Sequence, residues 1–497
     1  MQSISNEKSD LEDNISHSKG LEAVTVDNRE SQGTVPVAGD AVFGVNADGP
    51  NYLNVGWIRA AVFLMKAQIG LGVLGIPQVM STVGLFPGLF LIIILGVMAA
   101  WSAYVVGVFK QRHPECHSIA DAGFVLGGRV GQEALGIMCS LFMLCVCASG
   151  LLSISIAFNA LSSHGACTVG FVVVGGVIVY ILASIRTIDK LSFLSWVGLA
   201  SVLSALFTLA VAVGVEDRPA AAPPTGPWSK NQRFFGNPSF ADASSSIGTL
   251  VFAFSGTPAY FTVFSEMREP KDFPKTIALC QSVVTTVFIL LGVIIWFFCG
   301  QYVASPALGS AGAMMKKVCY GLALPSLIVG FVSPLFAVFA RTEFAVTDAS
   351  APRRSGIYLH LTAKYFFVRA LRGSPHLNSN SSTHWITWLL LVLGCVTFAF
   401  FVAEAIPVFG GLIGLIGALF GSLMNMHVMG AMWFYDNFGR QHEDKSWRFR
   451  ALMAWNVYLI AAGTFIMISG TYASIKSIVN DYAGKTLTVF SCADNSQ

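Results

Sequence analysis

Apolar residues fill most of this chain in long blocks, separated by short polar stretches. If about 20 consecutive apolar residues make one membrane span, the pattern predicts eleven transmembrane helices and an all-α polytopic membrane protein. The predicted spans are 56–80, 86–109, 132–160, 168–185, 190–214, 242–266, 275–300, 323–345, 385–404, 407–435 and 449–473.

Two of these spans contain residues that interrupt a helix. The first holds Gly70, Gly72, Gly75 and Pro77, and the sixth holds the run Ser255-Gly256-Thr257-Pro258. In a membrane, a helix opens only where its freed backbone groups meet protein, water or a ligand. Breaks in the first and sixth spans are also the spacing expected of two inverted five-helix repeats, so the pattern predicts a 5+5 inverted-repeat transporter.

The same pattern predicts how the chain is divided. The transporter domain is expected over 51–475, with residues 1–50 as a disordered cytosolic tail and 476–497 as a short tail on the other side of the membrane. Within the domain, repeat one covers 56–214, repeat two covers 242–435, and 449–473 is one extra C-terminal helix.

Composition and charge support a membrane protein and give its orientation. The 497 residues are 54% hydrophobic and 11% charged, against about 25% charged residues in soluble domains. A net charge of +3 gives no reason to expect nucleic acid as a partner. Eighteen of the 30 Lys and Arg residues fall in loops on the side of the N-terminus, and because such residues accumulate on the cytosolic side, we expect the N-terminus inside and the C-terminus outside.

The two breaks expose backbone groups of opposite polarity. After the first break a half-helix would begin with free N–H groups and the positive end of a dipole, which suits a carboxylate. In the sixth span, freed carbonyl groups near the negative end of a dipole suit an ammonium group. An α-amino acid carries both charges near one carbon, so the pair of breaks predicts an amino acid site. The candidate substrate-binding residues are Gly70, Leu71, Gly72, Val73 and Gly75 in the first span, and Phe254, Ser255, Gly256 and Thr257 in the sixth.

Ser149 completes the candidate site. It lies in the stretch 145–152 of the third span, which we expect to contact the substrate side chain. Helix packing is the other common reason for glycine in a membrane helix, and we expect it for Gly175-Gly176 and for the glycines at 410–421. The breaks at 70–77 and 255–258 each also contain a proline, which favours a binding site there.

Lys66 and Ser333 are candidates for ion coupling. Lys66 lies inside the first span, one helical turn before the glycines, and an ionisable group at that depth is costly. The alternative is that Lys66 extends to the cytosolic edge beside Arg59. Ser333 precedes Pro334 in the eighth span, where the alternative is an ordinary helix serine.

Cys167 and Cys319 both fall in predicted external loops, in a compartment that permits oxidation. They could therefore form a disulfide, whereas most of the other cysteines are expected to be packing residues. No nucleophile with an adjacent base, metal-spaced His cluster or phosphate loop is visible in the sequence. We therefore expect no enzyme activity, no catalytic residue, no metal and no cofactor.

The residues of both breaks resemble a known family. Lys66, the run from Gly70 to Pro77, Ser255-Gly256-Thr257 and Glu266-Met267 resemble the amino acid/auxin permease family over about residues 52–475. The resemblance is closest to fungal permeases for neutral and aromatic amino acids. It implies the leucine-transporter fold, with alternating access around the first and sixth helices.

Two further implications concern coupling and the cysteines. Sodium-coupled relatives place asparagine at the position of Lys66, whereas the proton-coupled branch resembles this chain in its lysine and in pairing cysteines at the positions of Cys167 and Cys319. Ser255-Gly256-Thr257 departs from the Glu-Gly pattern common in the family at the sixth-helix break.

These observations predict a monomeric secondary transporter that moves neutral amino acids by proton symport. Its partners would be the amino acid, protons and membrane lipid, and we expect the plasma membrane rather than the vacuolar membrane. An amino acid sensor that uses the same pocket, and a vacuolar exporter, are the alternatives.

Overall fold

The computed structural model describes residues 55–184, 191–223, 225–337, 382–440, 446–484 and 489–496. Within these ranges the regular structure is helical, apart from one isolated β-bridge between Val55 and Met267. The predicted tail 1–50 lies outside the described residues. The α-helices are α1 Trp57–Gln68, α2 Ile76–Val83, α3 Leu85–Arg112, α4 Ile119–Ser162, α5 Thr168–Ser184, α6 Leu191–Val215, α7 Phe240–Ala253, α8 Thr257–Glu266, α9 Phe273–Cys299, α10 Ala313–Ala337, α11 Ser382–Ala405, α12 Phe409–Ile416, α13 Val428–Asp436 and α14 Trp447–Gly484.

The all-helical membrane architecture is confirmed, but the count of eleven spans is not. Among the described residues, eight helices are long and apolar enough to cross a membrane, or nine if Trp57–Gln68 and Gly72–Val83 form one bent span. The predicted fourth span is a shorter apolar helix, Thr168–Ala183. The predicted eighth span, 323–345, continues beyond the described residues. The inverted symmetry of the two repeats stays a prediction.

Both predicted breaks are present. Helix α1 ends at Gln68, a short 3-10 helix covers Gly72–Gly75, and α2 follows with a bend of 43°. Helix α7 ends at Ala253, and α8 begins at Thr257 with Pro258 in its first turn. Proline is tolerated there because the first N–H groups of a helix have no internal partner.

The opened spans lie at the centre of the bundle. In the span Phe240–Glu266, 82% of the most apolar window is buried, against 22% in α14. Helix α7 packs against α2, α12 and α14. Glycines allow this close packing, since a Cβ at Gly417 would lie 2.0 Å from the carbonyl oxygen of Gly248. The packing role predicted for the glycines at 410–421 is confirmed at this position.

Several helices are longer than the apolar pattern predicts. Helix α10 begins at Ala313 rather than 323, and α14 continues to Gly484 rather than 473. These extensions carry polar residues, which an apolar run does not include. Helix α4 contains a turn at Gly128, whose φ of 61° and ψ of −150° suit glycine alone.

The predicted disulfide between Cys167 and Cys319 is wrong. The structure pairs Cys167 with Cys492, with their Cα atoms 4.4 Å apart, and Cys319 is a buried free thiol. Because α10 begins at Ala313, Cys319 belongs to that helix and not to a loop. The end of the chain instead returns to the α4–α5 connection, which brings Cys492 to Cys167 although 325 positions separate them.

Candidate functional site

The two helix breaks lie in direct contact. A Cβ atom at Gly72 would lie 2.4 Å from the Cα of Ala253, the last residue of α7. A Cβ at Gly75 would lie 2.7 Å from the Thr249 methyl carbon. Only glycine permits so close an approach of the backbones, so the glycines of the first break serve packing as well as helix opening.

The first break contains the start of a 3-10 helix, Gly72–Gly75, whose first amides are candidate backbone donors. The amide of Leu74 donates to the carbonyl of Leu71 at 3.2 Å, and this bond lies within the turn itself. The amides of Gly72 and Val73 precede it, at the start of the 3-10 helix, where N–H groups lack a carbonyl of a preceding turn. These two amides are candidate donors, and the carboxylate site predicted for the first break stays a prediction.

The second break is a sequence of tight turns. The amide of Ser255 donates to the Phe252 carbonyl at 3.0 Å, and the amide of Gly256 donates to the Phe254 carbonyl at 2.9 Å. A carbonyl oxygen has two lone pairs, so the Phe254 oxygen retains one for a ligand. Ser255 is half-buried, whereas Phe254, Gly256 and Thr257 are buried.

Asn425 connects the second break to the tenth predicted span. Its amide nitrogen donates to the Ser255 hydroxyl at 2.8 Å and to the Gly421 carbonyl at 2.9 Å, and its amide oxygen accepts from the Thr257 hydroxyl. It lies in a π-helical segment, Leu423–His427, between α12 and α13. Asn425 is not among the site residues predicted from the sequence. Its one signal is an amide side chain in an apolar, glycine-rich span.

A second polar cluster adjoins both breaks and was also missed. The side-chain amides of Gln68 and Gln281 each donate to the Tyr260 hydroxyl at 3.3 Å. All three residues are buried, and the amide oxygens of both glutamines lack a partner among the described residues. Gln68 is the last residue of α1, and a Cβ at Gly256 would lie 3.1 Å from its amide nitrogen.

The site is closed in this conformation. The cavity beside the second break has a volume of about 10 Å³ and is lined by Ser102, Val251, Phe254 and Asn425, among others. Ligand pockets ordinarily measure about 300 Å³ or more. An amino acid could enter only if the helices around the breaks moved apart.

Lys66 is buried rather than extended to the membrane edge. Its side chain is 7% exposed, and its ammonium group faces the Ser326 carbonyl on α10 at 3.4 Å. A Cβ at Gly330, one turn further along α10, would lie 3.5 Å from the same nitrogen. Ser333 follows on this helix, but its side chain lies outside the described ones. Two placements of Lys66 are predicted, one buried within the first span and one extended to the cytosolic edge. The structure shows the buried placement, between α1 and α10.

Ser149 is buried in α4, and its hydroxyl donates to the Val146 carbonyl of the same helix at 2.8 Å. The hydrogen bond of this hydroxyl is therefore made within its own helix. The predicted contact between Ser149 and a substrate side chain stays a prediction.

An all-helical membrane bundle with two opened central spans is the architecture of a secondary transporter. The sequence matches the family described as "Transmembrane amino acid transporter protein" over residues 54–476. The chain belongs to this family, and the resemblance predicted from the break residues is confirmed.

Two relatives and one solved structure are similar along most of their length. A "Transmembrane transporter" of Fusarium pseudograminearum is 33% identical over 456 residues, which cover 92% of this chain and 90% of the relative. The "N amino acid transport system protein" of Neurospora crassa is 28% identical over 446 residues, or 88% of each chain. A Na+-coupled sialic acid symporter, solved in a substrate-bound outward-open state, matches with a TM-score of 0.50 at 10% identity and covers 88% of this chain and 91% of its own. That last likeness shows the leucine-transporter fold alone.

Proposed function

We propose that the protein is a proton-coupled symporter that carries neutral amino acids into the cell across the plasma membrane. The observation that carries the proposal is the contact between two opened helices at Gly72 and Ala253. That contact brings backbone donors and backbone acceptors to one buried place. The amino acid transport named for the Neurospora crassa relative supports the same substrate class.

In this proposal the backbone binds both charges of the substrate. The carboxylate accepts hydrogen bonds from the amides of Gly72 and Val73, and the ammonium group donates to the carbonyls of Phe254 and Ser255. Asn425 fixes the second break by holding Ser255 and Thr257. Apolar residues of α4 near Ser149 would contact the substrate side chain, and this apolar lining is the reason for proposing neutral substrates.

Lys66 supports proton rather than sodium coupling. Its ammonium group already occupies the space between α1 and α10, beside the Ser326 carbonyl and Gly330. A cation bound there would meet a like charge whenever the lysine is protonated. Gain and loss of a proton at Lys66 would then take the place of binding and release of a metal ion.

The disulfide supports the proposed orientation. Disulfides persist outside the reducing cytosol, and Cys167–Cys492 joins the α4–α5 connection to the end of the chain. The distribution of Lys and Arg assigns the same side of the membrane to the exterior. We propose a monomer with its N-terminus in the cytosol.

A panel of labelled amino acids tests the proposed function. The full chain is expressed in uptake-deficient cells, and uptake is measured with and without sodium and with a protonophore. Neutral amino acids should accumulate without sodium and should stop accumulating when the proton gradient is dissipated. Binding without uptake would instead indicate a sensor, and transport confined to isolated vacuoles would indicate an exporter.

Replacing Asn425 by alanine should lower uptake about ten-fold. The change removes the amide that joins Ser255 and Thr257 to the tenth span, and hydrogen bonds between membrane helices contribute about 0.6 kcal/mol each, so losing two corresponds to roughly ten-fold. The measurement is initial uptake rate divided by the amount of protein at the surface. Ser422→Ala is the matched control, because the Ser422 hydroxyl donates within its own helix to Ala418. Equal rates for the two variants would contradict the role given to Asn425.

A further inference from the structure

The last described residues, 489–496, fold back onto the bundle, and we call them the C-terminal lid. Cys492 ties the lid to Cys167, and the Ala493 carbonyl accepts from the Thr168 hydroxyl at 2.6 Å. Asn495 is held from both ends. It donates to the Ser155 hydroxyl at 3.0 Å and accepts from the Asn159 amide at 2.7 Å.

The lid closes a small chamber at the end of α11. Its lining includes Thr168, Glu404, Ser491, Ala493 and Asn495. Three of them belong to the lid, so the chamber would open if the lid residues after Cys492 moved away while the disulfide stayed in place. Its volume of about 10 Å³ admits about one water molecule and excludes an amino acid or a hydrated ion.

Glu404 is the charged residue of this chamber. Its side chain is 4% exposed, and its Oε1 atom has no hydrogen-bond partner among the described residues. Thr168 and Asn495, which line the same space, already bond to other groups. A bare carboxylate in such a place is costly, because burial of an ionised group needs a donor or a cation.

Among the described residues, the titratable groups on the surrounding elements do not hydrogen-bond to Oε1 of Glu404. Tyr482 of α14 directs its hydroxyl to the Ala405 carbonyl, and Lys316 of α10 donates to the Ser496 carbonyl of the lid. The lid itself contributes Asp494, a further acid and not a cation.

We propose that Glu404 is a proton-binding residue of the transport cycle, and that the C-terminal lid closes over it when its carboxyl group is protonated. The inference rests on the proposed function, since it adds an outer proton site to that of Lys66. Protonation removes the charge that closure would bury, so lid closure and proton binding favour each other. When Glu404 loses its proton, the lid residues after Cys492 release their contacts with α4 and α10 while the Cys167–Cys492 disulfide stays intact, and water reaches the carboxylate.

Hydrogen exchange of the lid tests this directly, without relying on transport. The full chain in lipid nanodiscs is compared with Glu404→Gln, which cannot ionise, by measuring protection of residues 489–496 between about pH 5.5 and pH 8, corrected for the intrinsic exchange rate. Wild-type protection should fall about ten-fold as the pH rises, and the variant should stay protected throughout. Asp217→Asn removes an exposed carboxylate that precedes α7 and should behave as wild type.

Three outcomes would overturn the proton site. They are lid protection that does not depend on pH, the same pH dependence in Glu404→Gln, or protection that follows sodium concentration instead of pH. Amino acid exchange in proteoliposomes, with equal pH on both sides, separates this inference from the proposed function. If amino acids are exchanged but the protection of the lid does not depend on pH, only the role of Glu404 is refuted. If the protection of the lid depends on pH but no amino acid is exchanged, only amino acid transport is refuted.

Discussion

Replacing Gly72 by alanine is expected to lower amino acid uptake about thirty-fold while leaving the protein at the cell surface. The new methyl group would lie 2.4 Å from the Cα of Ala253 and 2.8 Å from its Cβ, so α7 must move away from the first break. Overpacking of this kind costs about 1–3 kcal/mol, and about 2 kcal/mol corresponds to roughly thirty-fold. Because the displaced backbone is the proposed binding site, the loss should fall on transport. The measurement is initial uptake rate per surface molecule.

Gly394→Ala is the control for the general effect of adding a methyl group to a spanning glycine. Gly394 lies in α11, and nothing would lie within 4 Å of its Cβ, so uptake should remain at the wild-type level. Gly70→Ala gives an intermediate test, because its Cβ would make only ordinary contacts with Lys66, at 3.5 and 3.7 Å. If Gly72→Ala transports as well as Gly394→Ala, the two breaks do not form the binding site.

The helix breaks could be predicted from sequence because their causes are local. Glycine and proline weaken the interior of a helix whatever surrounds it, and a broken apolar run is visible without knowledge of its neighbours. The positions of Gly72 and Gly256 in the structure follow from that rule. The rule does not predict which residues each break contacts. The contact between Gly72 and Ala253 is therefore known only from the three-dimensional structure.

The polar partners of the site depend on tertiary contacts. Asn425 reaches Ser255 across 170 positions, and Gln68 reaches Tyr260 across 192. The sequence of an apolar helix does not show whether its one amide side chain hydrogen-bonds to a neighbouring helix or to a binding loop. Sequence reasoning therefore recognised the broken backbone but not the side chains that fix it.

The disulfide shows a different reason for failure. Cys167 forms a disulfide, as its position in a predicted external loop permits, but the loops inferred from the apolar runs give the wrong partner. Cys319 lies in the early turns of α10, which start before the apolar run does, and Cys492 falls in the predicted short C-terminal tail 476–497. Because the predicted helix ends were wrong, the predicted cysteine pairing was wrong as well. The C-terminal lid could not be predicted from the sequence.

Lys66→Met is expected to abolish concentrative uptake while amino acid exchange continues. Methionine keeps much of the length and the apolar stem of lysine but cannot carry a proton between α1 and α10. One pH unit corresponds to about 1.4 kcal/mol and 100 mV to about 2.3 kcal/mol per charge, so one proton per substrate could support about 500-fold accumulation. Without coupling, the ratio of internal to external substrate should fall to about one.

The accumulation ratio and the exchange rate must be measured together, because a misfolded variant would lose both. Lys271→Met is the matched control, since Lys271 is exposed beyond the end of α8, and it should accumulate substrate as wild type does. If Lys66→Met still accumulates substrate, the proton is carried elsewhere, and Glu404 would become the next residue to test. Loss of exchange as well as accumulation, with normal surface protein, would make Lys66 a structural residue of the α1–α10 contact at Ser326 and not a coupling residue.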